Sequence, residues 1–178
     1  MPYTIEEHKH RFSAWAAGRA ASANGCRFSV QKAKKILEEA DLNQLLADPN
    51  KLPSPQDTDT EHKKWRNRVI EEAKKLDLTF THGVAAKLIN IYLKAGFVCG
   101  GHHDHPNVKA LHPPIDRVLL ATLIAKDFGG KQQVWQEARD IGWTHFNSKD
   151  YETVIINIRN SMPNQALWEV EQYWPGYL

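Results

Sequence analysis

The sequence predicts an all-α protein of about eight helices in two lobes with a central cleft. Apolar residues recur at helical intervals of three and four nearly throughout, and no stretch alternates polar and apolar residues as a half-exposed strand would. Residues that cap helices and glycines that end them divide this pattern into helix-sized pieces. A polar, proline-rich segment at residues 48–60 interrupts the pattern and predicts the boundary between the lobes.

The N-terminal region predicts two helices. Thr4 followed by Glu7 has the spacing of a capping box, and the helix that it opens is expected to end near Ala23, where Asn and Gly follow. Ser29 predicts the cap of a second helix that continues to about Ala47.

Beyond the polar segment, a third helix is predicted from four apolar residues that share one face: Trp65, Val69, Ala73 and Leu76. A fourth helix should begin near Thr81 and end at Gly96. Its stretch "VAAKLINIYLK" is apolar on so many sides that we expect it to be central and covered all round. A long loop rich in glycine, histidine and proline should then lead to His112.

The C-terminal part predicts three or four more helices. Pro113 or Pro114 should open one that runs to about Lys126 and precedes two glycines. Two or three further helices are expected at residues 131–140, after a cap at Ser148, and after Pro163.

Composition narrows the function classes. With 178 residues and only two cysteines, Cys26 and Cys99, the chain has neither a disulfide framework nor a four-cysteine zinc site. The sequence has no uninterrupted apolar run of the roughly 20 residues that span a bilayer, and it lacks a signal peptide. We therefore expect a cytoplasmic monomer that does not act at a membrane.

The net charge of +2 is small, but the cations are unevenly distributed. Residues 1–35 carry seven Lys and Arg against two Glu, and a second basic stretch, "HKKWRNR", occupies residues 62–68. Either region could be a solvated helix face or a phosphate-binding surface. The candidate DNA-binding residues are Lys63, Lys64, Arg66, Arg68, His102, His103 and Arg117.

One carboxylate stands out for its position. In "HPPID" two rigid prolines and an isoleucine precede Asp116, and the apolar helix that follows should be buried behind it. The second or third position of a helix favours an ionised carboxylate, because unpaired amides and the helix dipole face it. An acid held in a fixed direction could stabilise a positive charge that develops in a reaction, although a simple helix-capping role is also open.

The succession of "GVAAKLINIYLK", a loop and "HPPIDRVLLATL" resembles the core of the helix-hairpin-helix DNA glycosylases, including their archaeal 8-oxoguanine branch. In that superfamily a proline and an apolar residue precede a catalytic aspartate at a helix start, which Pro114, Ile115 and Asp116 match. The match covers residues 80–126, and the family's leucine-proline-glycine-valine-glycine hairpin is absent. The whole chain also resembles a bacterial family of defence-associated proteins.

The resemblance implies that Asp116 is catalytic and that the protein excises a modified or damaged base, including a hypermodified phage base. Bifunctional members of the superfamily carry a lysine upstream of the aspartate that forms a Schiff base with the sugar. Lys87 and Lys94 both lie upstream here, and Lys87 is the candidate catalytic lysine. Since neither aligns securely with the family's lysine, we expect base release mainly by water attack, without an obligatory lysine and without a cofactor.

A flipped base needs groups that stack on it and donate to it. In "FSAWAAGRAASA", Trp15 and Arg19 are one helical turn apart among small residues, and they could provide a stacking surface and a donor. Asn90, on the apolar fourth helix, could face the same pocket. His82 and His112 complete the candidate substrate-binding set.

Two other functions remain open from the sequence. His102, His103 and His105, with Cys99 and His112 nearby, could bind zinc and form a metal-dependent hydrolase or nuclease with Asp104 or Asp116 as an oxygen ligand. However, their spacing is loose, so we expect no metal. In the other alternative, the chain is a helical DNA-binding or partner-binding module in which Asp116 only caps a helix.

Overall fold

The computed structural model describes residues 2–178, and these residues are helical with no strand among them. This confirms the all-α prediction. The α-helices are α1 (Ile5–Ala21), α2 (Val30–Glu39), α3 (Thr58–Lys74), α4 (His82–Leu93), α5 (Pro106–Lys109), α6 (Arg117–Ala125), α7 (Gln132–Ile141) and α8 (Ser148–Ser161). Short 3-10 segments occupy Leu42–Ala47, Pro49–Lys51, Phe128–Gly130, Trp143–His145 and Leu167–Tyr173.

Side-chain caps begin the early helices where the sequence predicts them. The hydroxyls of Thr4, Ser29 and Thr81 each accept a backbone N–H at the start of α1, α2 and α4. The second helix, however, ends at Glu39 rather than near Ala47. The backbone of Asp41 is left-handed (φ 61°), which breaks the α-helix, and the chain continues as a 3-10 turn.

The segment predicted as a histidine loop is largely helical, which corrects that prediction. α4 continues without a break into a π-helical segment, Lys94–His102, and α5 follows. Gly96 does not end the helix. Its missing side chain instead lets Leu46 pack closely, since a Cβ there would lie 2.4 Å from a Leu46 methyl carbon. The helical geometry ends at Gly101, where φ is 92°.

The continuous helical stretch from His82 to His102 is the one element, within residues 2–178, that is long and apolar enough to cross a membrane. Its 21 residues include a window of mean hydropathy 1.2, although no uninterrupted apolar run is present. Two thirds of that window (67%) is buried inside the protein, as in the core helix of a globular fold. Helix α4 is central, as its sequence predicts.

Buried apolar side chains form two clusters. The first is built by α1 to α4 with the π-helical segment, and the second by α6 to α8 with Leu167–Tyr173. Ala86 of α4 belongs to the second cluster; otherwise the change between the clusters falls after Leu111 and before Ile115. Leu52, within the segment 48–60 that the sequence predicts as the lobe boundary, is buried in the first cluster.

The N-terminus of α4 is fixed against the turn at residues 143–146. Gly83 donates its N–H to Phe146 O (3.2 Å), and the Thr81 hydroxyl donates to Thr144 O (2.8 Å). A Cβ on Gly83 would lie 1.7 Å from Trp143 O, so only glycine permits this approach. The contact holds Trp143 beside the next turn of α4.

Candidate active site between the two clusters

Three polar side chains of the central helix point into the junction between the clusters. Lys87, Asn90 and Lys94 are spaced by three and four residues and therefore share one side of the helix. Each of these side chains contacts a residue that comes later in the sequence than the residues of the first cluster. Lys87 Nζ lies 2.9 Å from Asp116 Oδ2, Asn90 Nδ2 lies 3.0 Å from Pro113 O, and Lys94 pairs with Glu171. These partners explain why polar groups are tolerated on such an apolar helix.

Asp116 is the N-cap of α6, one position before the helix rather than inside its first turn as predicted. Its Oδ1 accepts the N–H of Leu119 (2.9 Å), while Oδ2 accepts hydrogen bonds from Lys87 Nζ (2.9 Å) and Trp174 Nε1 (3.0 Å). The preceding prolines and Ile115 are buried, which fixes the direction of the carboxylate. Capping occupies only one carboxylate oxygen, and the other belongs to the Lys87 pair.

The carboxylate of Asp116 is held in its ionised form. Burial by itself would raise the pKa of Asp116, but the Lys87 ammonium, the Leu119 amide and the Trp174 indole together hold this pKa below its ordinary value. The carboxylate is thus a fixed negative charge in a largely water-excluded setting, where its effect on a neighbouring cation is strong.

The ammonium of Lys87 is the most buried charge next to this carboxylate. Its side chain is only 6% exposed, and its Nζ lies 5.3 Å from the centre of the Trp143 ring. Burial lowers the pKa of Lys87 below that of an ordinary lysine, in spite of the stabilising charge of Asp116. A lysine that gives up its proton more readily can act as a nucleophile.

A cavity of about 520 Å³ adjoins this pair. Its walls come from the π-helical segment and the C-terminal 3-10 helix, and they include Lys94, Glu171, Trp168, Gln165 and Gln172. Lys94 and Glu171 form an ion pair, and burial raises the pKa of Glu171. Lys94 also lies 5.9 Å from the ring of Trp174, the residue that donates to Asp116, so Lys94 and Trp174 connect the cavity wall to the Lys87–Asp116 pair.

A second polar network links α3, α4 and α8 close to the same junction. Arg66, which has no exposed surface, donates to His62 Nδ1 (2.8 Å) and to Glu152 (2.9 Å). His62 stacks on His112 at 4.2 Å, and His112 Nε2 lies 2.8 Å from Asp59 Oδ1. Asn90 and Tyr151 complete the network. Asn90 bonds to His62 and to the Tyr151 hydroxyl, and that hydroxyl bonds to His112.

The geometry of this network assigns the neutral form to both buried histidines. Because Arg66 can only donate, His62 Nδ1 must accept, and the proton of His62 lies on Nε2, which donates to Asn90 Oδ1 (2.7 Å). His112 Nε2 donates to Asp59, which leaves His112 Nδ1 to accept from the Tyr151 hydroxyl (3.0 Å). Burial lowers the pKa of both histidines, that of His62 most strongly.

We expect the protein to lose stability as the pH falls below about 6.5, the pKa of an unfolded-state histidine. Above this pH, His62 and His112 are neutral in both states. Below it, the unfolded chain binds protons that the folded protein does not, at a cost of up to about 1.4 kcal/mol per pH unit for each histidine. Urea unfolding at pH 7.5, 6.0 and 5.0 should show a loss of about 2 to 4 kcal/mol across this range.

His112→Gln keeps a donor for Asp59 but cannot titrate, so it should lose roughly half of this pH dependence, whereas the exposed His145→Gln should keep all of it. A free energy of unfolding that stays constant from pH 7.5 to 5.0 would show that the two histidines take up protons equally in the folded and unfolded states. Asp59 affects the pH dependence of the free energy of unfolding only at lower pH. Its hydrogen bond with His112 lowers the pKa of Asp59 first, and Arg159 adds to this, so its contribution is lost below about pH 4.

The structure corrects the assignment of Arg66 to a DNA-binding surface. Its guanidinium is enclosed and committed to His62, His82, Ser148 and Glu152, so no phosphate can reach it. Asn90 and His112, predicted to bind substrate, are also buried, and their polar atoms are bonded within the network. Asn90 instead holds Pro113, three residues before Asp116.

Trp15 and Arg19 lie on the outer face of α1, opposite the residues that pack on the core. The ring next to Trp15 is that of Phe12, and no contact joins Trp15 or Arg19 to the Asp116 site within residues 2–178. His82 is half-buried at the start of α4, where its Nδ1 accepts from Arg66. The predicted substrate-binding residues are therefore not brought together around Asp116.

Most of the other candidate DNA-binding residues are exposed. Lys63 and Lys64 pair with Glu152 and Glu61, and Arg68 approaches Asp41 at 3.8 Å. These acidic partners reduce the positive charge of the stretch at residues 62–68. Arg117 and His103 are also exposed, and His102 rests against the edge of Phe97.

The histidines of residues 102–105 have separate partners. His103 contacts Asp104 and Trp168, and His105 lies 3.2 Å from Asn50. In residues 2–178, no group of three or more His, Cys, Asp or Glu side chains is arranged to hold a metal ion. The metal-dependent alternative therefore has no assembled ligand set to support it.

The C-terminal segment contributes groups that sequence reasoning missed. Glu171 and Trp174 complete the partners of Lys94 and Asp116, yet they lie in a 3-10 helix and the extended residue after it, with no motif around them. Among Lys94, Glu171 and Trp174, only Lys94 could have been found from the sequence, since it repeats the position of Lys87 two turns later on the helix.

Comparison of the chain with protein-family models, with curated protein sequences and with solved structures finds no match. The function must therefore be inferred from the residues that the fold brings together, above all from Asp116 and Lys87.

Proposed function

We propose that this protein is a DNA glycosylase that releases a modified or damaged base from DNA and leaves an abasic site. The observation that carries the proposal is the buried pair of Lys87 and Asp116, with 2.9 Å between Nζ and Oδ2, beside a cavity of about 520 Å³. The match of Pro114, Ile115 and Asp116 to the helix-hairpin-helix glycosylases supports the same reaction.

The chemistry needs a fixed negative charge. When the bond between C1′ and the base nitrogen breaks, its electron pair leaves with the base, which takes up a proton, and positive charge develops on the sugar. A carboxylate that is already oriented stabilises this charge without reorganising. Asp116 meets this requirement, because three donors and the buried residues before it fix its position.

The cavity suits an extruded base. Pockets of about 300 to 1,000 Å³ accommodate small ligands, and this one combines the indole of Trp168 with the amides of Gln165 and Gln172. An indole can stack on a base, and amides can donate to and accept from its edge. Lys94 and Glu171 add one donor and one acceptor to the cavity wall.

In the hydrolytic route, water bonds to C1′ and gives up one proton, and the product is an abasic sugar. The contact between Lys87 and Asp116 favours a second route. Neutral Lys87 Nζ would attack C1′ as the base leaves, and one amine proton would pass to Asp116. The C1′–O4′ bond of the sugar would then break, with O4′ taking up the second amine proton, to form a Schiff base. The lowered pKa of Lys87 supports this route.

A screen of modified-base DNAs tests the proposal. Synthetic duplexes that each carry one oxidised, deaminated or alkylated base, together with phage DNA containing hypermodified bases, are incubated with the protein. Abasic sites are then detected with an aldehyde-reactive probe. We expect release of at least one base by the wild-type protein. If folded protein forms no abasic site on any of these DNAs, the glycosylase proposal fails.

Borohydride distinguishes the two routes on whichever DNA is active. Reduction should trap a covalent complex if Lys87 attacks, and Lys87→Gln should then abolish both the trap and base release. Base release without any trapped complex supports the hydrolytic route that the sequence predicts.

A further inference from the structure

The outer face of α1 carries an exposed aromatic strip that no other element covers. Among residues 2–178, four of the nine well-exposed large apolar side chains lie within the first fifteen positions: Tyr3, Ile5, Phe12 and Trp15. Phe12 is 57% exposed and Trp15 is 52% exposed, and their ring centres are 5.9 Å apart. Exposed apolar groups that cluster in this way mark interaction sites.

Cations are interleaved with these rings. Arg11 and Arg19 each lie four positions from Trp15 and therefore lie on the same face of the helix. The guanidinium of Arg11 sits 5.0 Å above the ring of Tyr3 and also pairs with Glu7. Arg19 has no ion-pair partner within the described chain. The face therefore combines flat aromatic surfaces with positive charge.

We propose that this face of α1 binds single-stranded DNA, with Phe12 and Trp15 stacking on unpaired bases and Arg19 contacting the phosphate backbone. Rings stack on any base because every base has a π face, and the interleaved cations neutralise phosphates. Residues 1–35 carry seven Lys and Arg against two Glu, and this excess of positive charge favours a negatively charged nucleic-acid strand as the occupant. The inference extends the proposed DNA substrate to a second contact, remote from Asp116.

The surface of α1 is available without a change in the fold. The residues that pack on the core lie on the opposite side of the helix, and they include Ala14, Ala17 and Ala21. Phe12 and Trp15 can therefore be truncated without leaving a cavity. The same observation explains why Trp15 does not serve the Asp116 site.

The test is fluorescence anisotropy of a labelled 20-residue oligothymidylate with the full-length protein. Phe12→Ala/Trp15→Ala should weaken binding by at least about fivefold, since one stacked base contributes about five- to 150-fold in affinity. Arg19→Gln should lower the slope of log affinity against log salt by about 0.7. Ile141→Ala, at an exposed apolar residue of α7, should change neither quantity.

Two outcomes overturn the inference. One is an oligothymidylate affinity that is unchanged in Phe12→Ala/Trp15→Ala, with thermal melting showing that the variant is folded. The other is an absence of oligonucleotide binding, with a blue shift of tryptophan fluorescence on vesicles of phosphatidylcholine and phosphatidylserine, which would identify a membrane face.

The experiment also separates this inference from the glycosylase proposal. If no base is released but oligothymidylate binding depends on Phe12 and Trp15, the α1 face stands and the enzyme assignment fails. If bases are released but oligothymidylate binding ignores both residues, the enzyme assignment stands and the α1 face fails.

Discussion

Asp116→Asn should reduce base release by about 100- to 1,000-fold while leaving DNA affinity unchanged. The substitution keeps the shape of the side chain and removes the negative charge that faces the sugar cation. Loss of one such preorganised electrostatic contact costs about 3 to 4 kcal/mol in the transition state. Single-turnover release from an active DNA measures the chemical step, and anisotropy with the same DNA measures affinity.

The variant should remain folded, because asparagine is as good an N-cap as aspartate and can still accept the N–H of Leu119. Lys87 loses its counter-ion, but burial already lowers its pKa, so it can shed its proton rather than remain as an unpaired buried charge. Circular dichroism should therefore match the wild-type protein. Asp116→Asn/Lys87→Gln provides a second inactive variant in which no buried charge remains unpaired.

Asp104→Asn is the matched control. Asp104 is exposed near the histidines that the metal-dependent alternative would use, so its substitution should leave base release unchanged. Loss of activity in Asp104→Asn, with retention in Asp116→Asn, would move the reaction from the Lys87–Asp116 pair to the histidine segment. Full activity in Asp116→Asn alone would remove Asp116 from the mechanism.

Arg66→Ala should lower the free energy of unfolding by about 3 to 5 kcal/mol, the usual cost of truncating a large, fully buried side chain to alanine. Arg66 is enclosed, donates to His62 and Glu152, and lies 4.6 Å above the Tyr151 ring. Its removal leaves the buried Nδ1 of His62 without a donor, which is costly in itself. Urea unfolding monitored by circular dichroism measures the loss.

Arg68→Ala is the control on the same helix. Arg68 is half-exposed and its nearest acid, Asp41, is 3.8 Å away, so its removal should cost less than about 0.5 kcal/mol. If the two variants are equally stable, Arg66 is not the centre of the network that joins α3 to α8. If Arg66→Ala instead weakens DNA binding without changing stability, the original assignment of Arg66 to a phosphate surface is restored.

Most helix starts could be predicted from the sequence because they depend on neighbouring residues. Thr4, Ser29 and Thr81 cap their own helices, and the apolar stretch of α4 is central in the fold as its composition indicates. Helix ends were predicted less well. Gly96 lies within a helix, where its missing side chain lets Leu46, fifty positions earlier, pack closely, and no local pattern carries that information.

The features of the candidate site also divide into those that local sequence predicts and those that depend on tertiary contacts. The sequence by itself determined that Asp116 is a rigidly held carboxylate at a helix start, because the prolines before it and the amides after it are its chain neighbours. Only the tertiary structure decided that Lys87 contacts it, that Trp174 and Glu171 complete the surroundings, and that Arg66 is enclosed while Trp15 is exposed. These facts depend on which helix faces meet across the two clusters, and hydrogen bonds and burial between segments tens of residues apart have no signature in local spacing.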